Sequence, residues 1–287
     1  MNRERIETVL FRWLRRLVIA VLVVVTAGPL LYMVLLSIRP LSVVISNPLD
    51  LLPSPSELNV ETYRRALASA EAGGYGLGRF MLNSLLVALA TVVVTTGLAV
   101  LGAYATARYD FFGKRTINVL FFTIYLFPAV VMAIPLFVMF ARLGLRGSLG
   151  ALVIIYMAHT VPVALYMLRN YFEAVPPSLE EAAKVDGAGR LRVIGQIVLP
   201  LAVPSIVASA LYVFMIAWNE FLFALLFLVE FRDRWTVSLG VAQLDDQAVA
   251  ITVLMAASVM LTIPVVILFF VTERLIVSGL TAGAEKG

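Results

Sequence analysis

The feature that most constrains this chain is the recurrence of long apolar blocks. Six stretches, at about 17–36, 81–106, 117–140, 149–168, 201–229 and 249–271, run almost without formal charge; Glu220 is the exception. Each is about 20 residues or longer, the length needed to cross a hydrocarbon layer about 30 Å thick. The pattern predicts an all-α membrane protein with six spanning helices. The longest block, 201–229, has residues to spare and must tilt or run past the lipid. Composition agrees: the chain is 61% hydrophobic and 14% charged, against about 45–50% apolar and about 25% charged in soluble domains.

Lys and Arg lie at the block ends and are unequally shared. With the N-terminus in the cytoplasm, that side holds Arg3, Arg5, Arg12, Arg15, Arg16, Arg108, Lys114, Arg115, Arg169, Lys184, Arg190, Arg192, Arg274 and Lys286. The other side holds the smaller set Arg39, Arg64, Arg65, Arg79, Arg142, Arg146, Arg232 and Arg234. Cytoplasmic loops carry the excess of basic residues, so both termini are expected in the cytoplasm. The net charge of +4 is thereby read as membrane orientation and not as a nucleic-acid face. The first block follows Arg12, Arg15 and Arg16 but exceeds the usual apolar run of a signal peptide, about 7–15 residues. No A-x-A pattern follows at Leu36-Ser37-Ile38, so a retained helix is expected. The resulting division is a cytoplasmic N-terminus at 1–16, a six-helix body at 17–272 and a cytoplasmic tail at 273–287. An external loop runs over 37–80 and a cytoplasmic loop over 169–200.

The residue inventory narrows the chemistry. There is no cysteine, and His159 is the one histidine. Thiol catalysis, disulfides and a Cys or multi-His metal centre are excluded. No catalytic set and no metal site are expected. No G-x-x-x-x-G-K-[ST] phosphate loop occurs; Gly113-Lys114 is followed by Arg115 and lacks the earlier glycine. In the 37–80 loop, Pro40, Pro48, Pro53 and Pro55 predict irregular chain. Asn59 is placed to cap a short amphipathic helix. Gly73, Gly74, Gly76 and Gly78 lack the G-x-G-x-x-G spacing and a preceding strand, and read as a flexible linker.

The segment 169–200 is the most specific. Pro176-Pro177-Ser178-Leu179-Glu180-Glu181-Ala182-Ala183 predicts a short helix with a capping box between Ser178 and Glu181. Glu180 and Glu181 suit the positive end of the helix dipole. Gly187 is placed to stop the helix in a left-handed conformation. A second short helix is expected over about 190–198, ahead of Pro200. A helix lying on the membrane surface would need a strong apolar face, whereas 181–186 is small and polar. Such a surface suits a groove on another protein.

The order Glu181-Ala182-Ala183, Asp186-Gly187-Ala188, Ile197 and Leu199-Pro200 resembles the EAA loop of permeases from binding-protein-dependent ABC importers. Asn83-Ser84, Ala103-Tyr104-Ala105 through Arg108, Gly113-Lys114-Arg115, Phe127-Pro128 and Ile134-Pro135-Leu136-Phe137 extend the resemblance over most of the chain. Ala217-Trp218-Asn219-Glu220-Phe221 and the terminal 279–287 resemble the smaller permease subunit of the maltose-type carbohydrate branch, with Glu285 departing from the apolar residue expected there. The resemblance implies the type I ABC importer permease fold. It also implies that Glu181, Ala182, Ala183, Asp186 and Gly187 dock on an ATP-binding subunit. The implied partners are a second homologous permease, a pair of ATP-binding subunits that hold ATP and Mg, and an external sugar-binding protein meeting the loops 37–80 and 230–247. No cofactor is implied on this chain, which would reside in a bacterial or archaeal cytoplasmic membrane.

Polar residues inside a membrane are costly and face a cavity or a partner helix. Ser205, Ser209, Tyr212, Ile216 and Asn219 share one face of the fifth block, with Trp218 beside them and Glu220 about 100° round from Asn219. Tyr156, His159, Val163, Tyr166 and Asn170 form a similar stripe on the fourth. Either stripe fits a helix–helix seam or a translocation path. The ionisable Glu220 tips the fifth toward a path or an interface with the partner permease; the fourth reads first as a seam. The function expected is half of the path of an ATP-driven sugar importer, for a di- or oligosaccharide such as maltose or trehalose. A non-sugar solute is the nearest alternative. An ion-coupled secondary transporter leaves the capped 169–200 segment unexplained, and a membrane scaffold with no path is the third class.

Overall fold

The computed structural model describes residues 3–47, 50, 52–245 and 249–284. Pro48, the 246–247 end of the loop 230–247, and Glu285, Lys286 and Gly287 of the tail lie outside the described residues. Every regular element among the described residues is helical. The chain divides into two compact units, Met1–Gly78 with Val241–Thr262, and Arg79–Gly240 with Ile263–Gly287.

In the first unit, α1 (Arg3–Ser37) leaves its apolar length exposed, as a lipid-facing helix does. The following loop is more ordered than its prolines predict. It holds α2 (Leu41–Ser46), a single turn at Pro55–Glu57 and α3 (Glu61–Leu67). Pro40 and Pro55 stand where a helix begins, so their missing N–H groups cost nothing. Asn59 does serve the start of α3, its Oδ1 accepting the Glu61 N–H at 2.7 Å. On the exposed face of that helix, the hydrogen bond from Arg64 holds the Glu61 carboxyl below its ordinary range. Arg39 is 1% exposed and gathers the loop, donating to the Asp50 carbonyl and lying 3.7 Å from the Glu57 carboxylate.

The glycine run is not a flexible linker. The N–H groups of Gly74, Tyr75 and Gly76 donate to Ser69, Arg65 and Ala68 at 2.9, 3.0 and 2.7 Å. Gly73 and Gly76 hold φ of 73° and 80°, and a Cβ on Gly74 would lie 2.4 Å from the Ala68 carbonyl oxygen. The glycines permit this tight turn, which side chains would block.

The remaining elements are α4 (Leu77–Arg108), α5 (Lys114–Leu126), α6 (Ala129–Arg142), α7 (Leu149–Ala174), α8 (Pro177–Val185), α9 (Arg190–Val193), α10 (Leu199–Asn219), α11 (Leu222–Leu228), α12 (Val237–Asp245) and α13 (Ile251–Ala284). Among the described residues, five helical stretches are long and apolar enough to cross a membrane: Leu10–Ser37, Leu77–Arg108, Leu149–Ala174, Arg190–Asn219 and Ile251–Ile276.

Two expected helices are broken. The block 117–140 divides into α5 and α6 because Pro128 lacks an N–H and biases Phe127 away from helix; Pro128 becomes the N-cap of α6. The block 201–229 divides at Glu220, whose φ of −65° and ψ of 130° are extended. Conversely, the short helix expected before Pro200 is not separate. A π-helical turn at Ile194–Val198 joins α9 to α10 and widens the backbone just where Pro200 offers no N–H. The last helix runs past residue 271 to Ala284, so most of the expected tail is helical.

The second unit packs α4, α7, α9 and α10 around one core. Ala99, Ala103, Ala164 and Ala202 are fully buried there, and a Cβ on Gly102 would lie 2.8 Å from Leu165 Cδ1. Small residues let helices approach closely where lipid offers no hydrophobic drive. At the start of α4, the Asn83 amide donates to the Trp235 and Asp233 carbonyls at 2.9 and 3.0 Å, and Ser84 Oγ accepts the Val237 N–H at 2.8 Å. The Asn-Ser pair thus ties α4 to the chain that follows α11.

Candidate functional site

The segment between α7 and α10 builds a short helix with two different faces. Pro177 opens α8 at the first helical position, where its fixed φ is favourable. That placement defeats the expected capping box. Ser178 falls inside the helix, the N-cap is Pro176, and no side chain caps the end. The other end behaves as expected. Gly187 adopts φ 83°, its N–H reaches the Lys184 carbonyl at 3.1 Å, and the Ala188 N–H reaches Ala183 at 2.9 Å. This is the Schellman pattern of two carbonyls satisfied by a left-handed stop.

Four of the residues singled out for docking, Glu181, Ala182, Asp186 and Gly187, are exposed; Ala183 is half-buried and packs on the core. Val185 and Leu191 are 87% and 86% exposed beside them. An apolar surface mixed with small and acidic residues is what a protein groove takes. The opposite face carries Glu180, only 4% exposed. Its carboxylate accepts Arg108 Nε at 2.6 Å and the Tyr104 hydroxyl at 2.9 Å. Sequence reasoning assigned Glu180 to the helix dipole and Arg108 to a motif without a partner. The available signal was a lone arginine closing an apolar helix.

The intramembrane stripes separate into held and outward residues. Glu220 does not continue the face of α10. It leaves the helix, and its carboxylate accepts the Tyr156 hydroxyl at 2.5 Å and the N–H groups of Phe223 and Ala224 at 2.8 and 3.2 Å. It therefore caps α11 and binds it to α7. The Glu220 carbonyl also accepts Ser238 Oγ at 2.5 Å. Trp218 is buried and stacked on Phe214, centroids 5.5 Å apart. Ser209 is fully buried, and its hydroxyl has no hydrogen-bond partner among the described residues. Tyr212 is half-buried against the core, and Asn219 is exposed, its amide bonded to the Met215 carbonyl at 2.8 Å. His159 is half-buried on a mostly apolar cavity of about 350 Å³ with Phe127, Met132 and Phe223. On α7, Tyr156 is buried while Tyr166 and Asn170 are exposed, so the stripe does not face one environment.

Residues 97–280, which include α8 and the core around it, match the family described as binding-protein-dependent transport system inner membrane component. The chain belongs to this family. It is a multi-pass inner-membrane permease of an ABC importer, and not itself the ATPase. This permease is 41% identical over 206 residues to the inner membrane ABC transporter permease protein YcjP of Escherichia coli, covering 71% of this chain and 73% of the relative. It is 40% identical over 210 residues to the trehalose/maltose transport system permease protein MalG of Thermococcus litoralis, covering 72% and 75%. A solved chain of a bacterial ABC transporter involved in the import of the acidic polysaccharide alginate superposes with a TM-score of 0.81. At 23% identity it covers 96% of this chain and 98% of its own, and the likeness shows the fold.

Proposed function

We propose that this permease forms half of the translocation path of a sugar importer and that α8 is its coupling helix. Six spans are assigned by counting α5 and α6 together as the third, with both termini in the cytoplasm. The observation that carries the coupling role is the two-faced α8: one side locked to the body through Glu180, the other presenting Glu181, Ala182 and Asp186 outward. A helix stopped sharply by Gly187 and held from behind is suited to receive force from an ATPase groove. The partners are a second homologous permease, a pair of ATP-binding subunits carrying ATP and Mg, and an external sugar-binding protein.

The sugar class is supported by the trehalose/maltose transport named for one relative and the alginate import named for the solved neighbour. Among the stripe residues, Ser209, Tyr212, Asn219 and His159 are retained as candidates for the path or the permease interface. Tyr156 and Glu220 hold the break after α10, while Trp218 is buried against Phe214 within α10. The test is uptake by the reconstituted importer with labelled maltose, trehalose and a non-sugar control. ATP-dependent accumulation of a sugar alone supports the reading. Accumulation driven by a proton gradient without ATPase subunits sinks it.

A further inference from the structure

We propose that Arg108, Tyr104 and Glu180 form a buried clamp that makes α4 move with α8, so that these three act as positioning residues of the coupling loop. This rests on the coupling role of α8. By covalent connection, α8 is joined only to α7 and to the helix that becomes α10. Both joints interrupt the helical backbone: Val175 is extended at φ −75° and ψ 123°, and Gly187 holds a left-handed stop before Gly189. A helix between two such interruptions keeps its orientation through contacts and not through a continuous helix. α9 and the π-helical turn touch α8, and α4, which ends 72 residues earlier in sequence, grips it with charge.

Arg108, the last residue of α4, bonds Glu180 Oε1 through Nε at 2.6 Å and the Val175 carbonyl through Nη2 at 2.9 Å. Tyr104, one turn earlier, donates to Glu180 Oε2 at 2.9 Å. Both carboxylate oxygens are thus held, and the first joint is gripped along with α8. The Tyr104 ring stands edge-on to Phe172 of α7 and to Tyr109, each 6.0 Å away, and Arg190 of α9 lies over Tyr109 at 5.8 Å. The Arg108 and Glu180 side chains keep 11% and 5% of their exposure. An exposed ion pair adds little, but a buried, charge-assisted pair is directional and costly to break. The outward residues Glu181, Ala182 and Asp186 take no part in the clamp. Docking and transmission therefore reside on opposite faces and are separable by mutation.

The chain has no cysteine, so spin labels can be placed at will. Leu101 on α4 is 65% exposed, and Leu179, in the first turn of α8 and outside the residues singled out for docking, is 45% exposed. The experiment labels Leu101→Cys with Leu179→Cys in the complete importer and measures the interspin distance with and without ATP. With the clamp intact, the two distributions superimpose. In Arg108→Gln and Arg108→Lys, ATPase subunits still bind, but ATP moves the distribution by about 1–2 Å or more, the scale of helix shifts in switching proteins. Lysine keeps the charge and loses the two-pronged grip. Tyr104→Phe, which keeps the ring and removes one hydrogen bond, gives a smaller shift and covers the case where the arginine variants do not fold. An ATP-dependent change in the intact protein overturns the proposal, as do variants whose distributions ignore ATP. Loss of ATPase binding in the clamp variants also overturns it, by placing these residues in docking. The coupling role is tested apart: Ala182→Trp on the outward face with unchanged ATPase binding would sink that role and not the clamp.

Discussion

Glu180, buried, and Glu220, half-buried, each sit beside a helix end, and they are satisfied by opposite means. Glu180 meets a full positive charge on Arg108, with the Tyr104 hydroxyl beside it. Glu220 meets no cation in its hydrogen bonds; two backbone N–H groups and the Tyr156 hydroxyl receive it. Both reach a helix distant in sequence, but the first leaves an orphaned charge if either ion goes. The second holds the break after α10 and leaves only neutral orphans if Glu220 goes. The difference predicts a rank order of consequences, and separates a residue that transmits motion from one that holds a shape.

The largest effect is expected at Arg108. Arg108→Met strands the Glu180 carboxylate in a buried place and should cost about 3–5 kcal/mol, measured by thermal unfolding of the purified chain in detergent. Arg108→Met with Glu180→Leu should recover most of that loss, since an apolar pair of similar volume replaces the ions. A single-variant cost below about 1 kcal/mol would equate the pair with a surface salt bridge and dissolve the contrast.

Gly187→Pro comes next. It removes the N–H that reaches Lys184 and forces a φ near about −65° where the chain holds 83°. The local cost is about 3 kcal/mol or more. Membrane insertion should persist while stimulation of the ATPase disappears; undiminished stimulation would remove α8 from coupling. Gly187→Ala meets no atom within 4 Å, so only backbone strain of about 1–2 kcal/mol remains.

Glu220→Ala should cost about 2–3 kcal/mol, by uncapping α11 and leaving the Tyr156 hydroxyl unpaired. Glu220→Gln keeps an acceptor for part of this and should cost less. Membrane abundance and transport should fall together. A transport loss far beyond the loss of abundance would return Glu220 to the path and make the two carboxylates alike in kind.

These expectations show where sequence was a sufficient guide. Apolar length sets the spanning helices, because a bilayer admits few other solutions. The stop at Gly187 was legible because a left-handed residue after a helix is nearly a glycine prerogative. The breaks at Pro128 and Glu220 were less so. Pro135, Pro162, Pro204 and Pro264 sit inside helices without ending them, so proline alone does not mark a break in lipid. The placing of Glu220 about 100° round from Asn219 failed because helical periodicity ends at Asn219. The Arg108–Glu180 pair was hidden for a different reason. Its members lie far apart in sequence, and nothing local to either names the other.

Ser209 offers the finest discrimination and the smallest expected effect. Its hydroxyl is buried in α10, one turn before Val213, and has no hydrogen-bond partner among the described residues. An unpaired buried hydroxyl is a cost, so Ser209→Ala should change stability by less than about 1 kcal/mol, in the stabilising direction. If the residue only fills space between helices, transport should follow stability and stay at the parental level. If the hydroxyl finds its partner in the second permease or in the passing sugar, transport should fall although the isolated chain is no less stable. That outcome would set Ser209 apart from both glutamates, since its function would lie in a bond made only in the assembled importer. A clear destabilisation of the isolated chain would instead mean that the hydroxyl is already satisfied there, and would remove Ser209 from the path candidates.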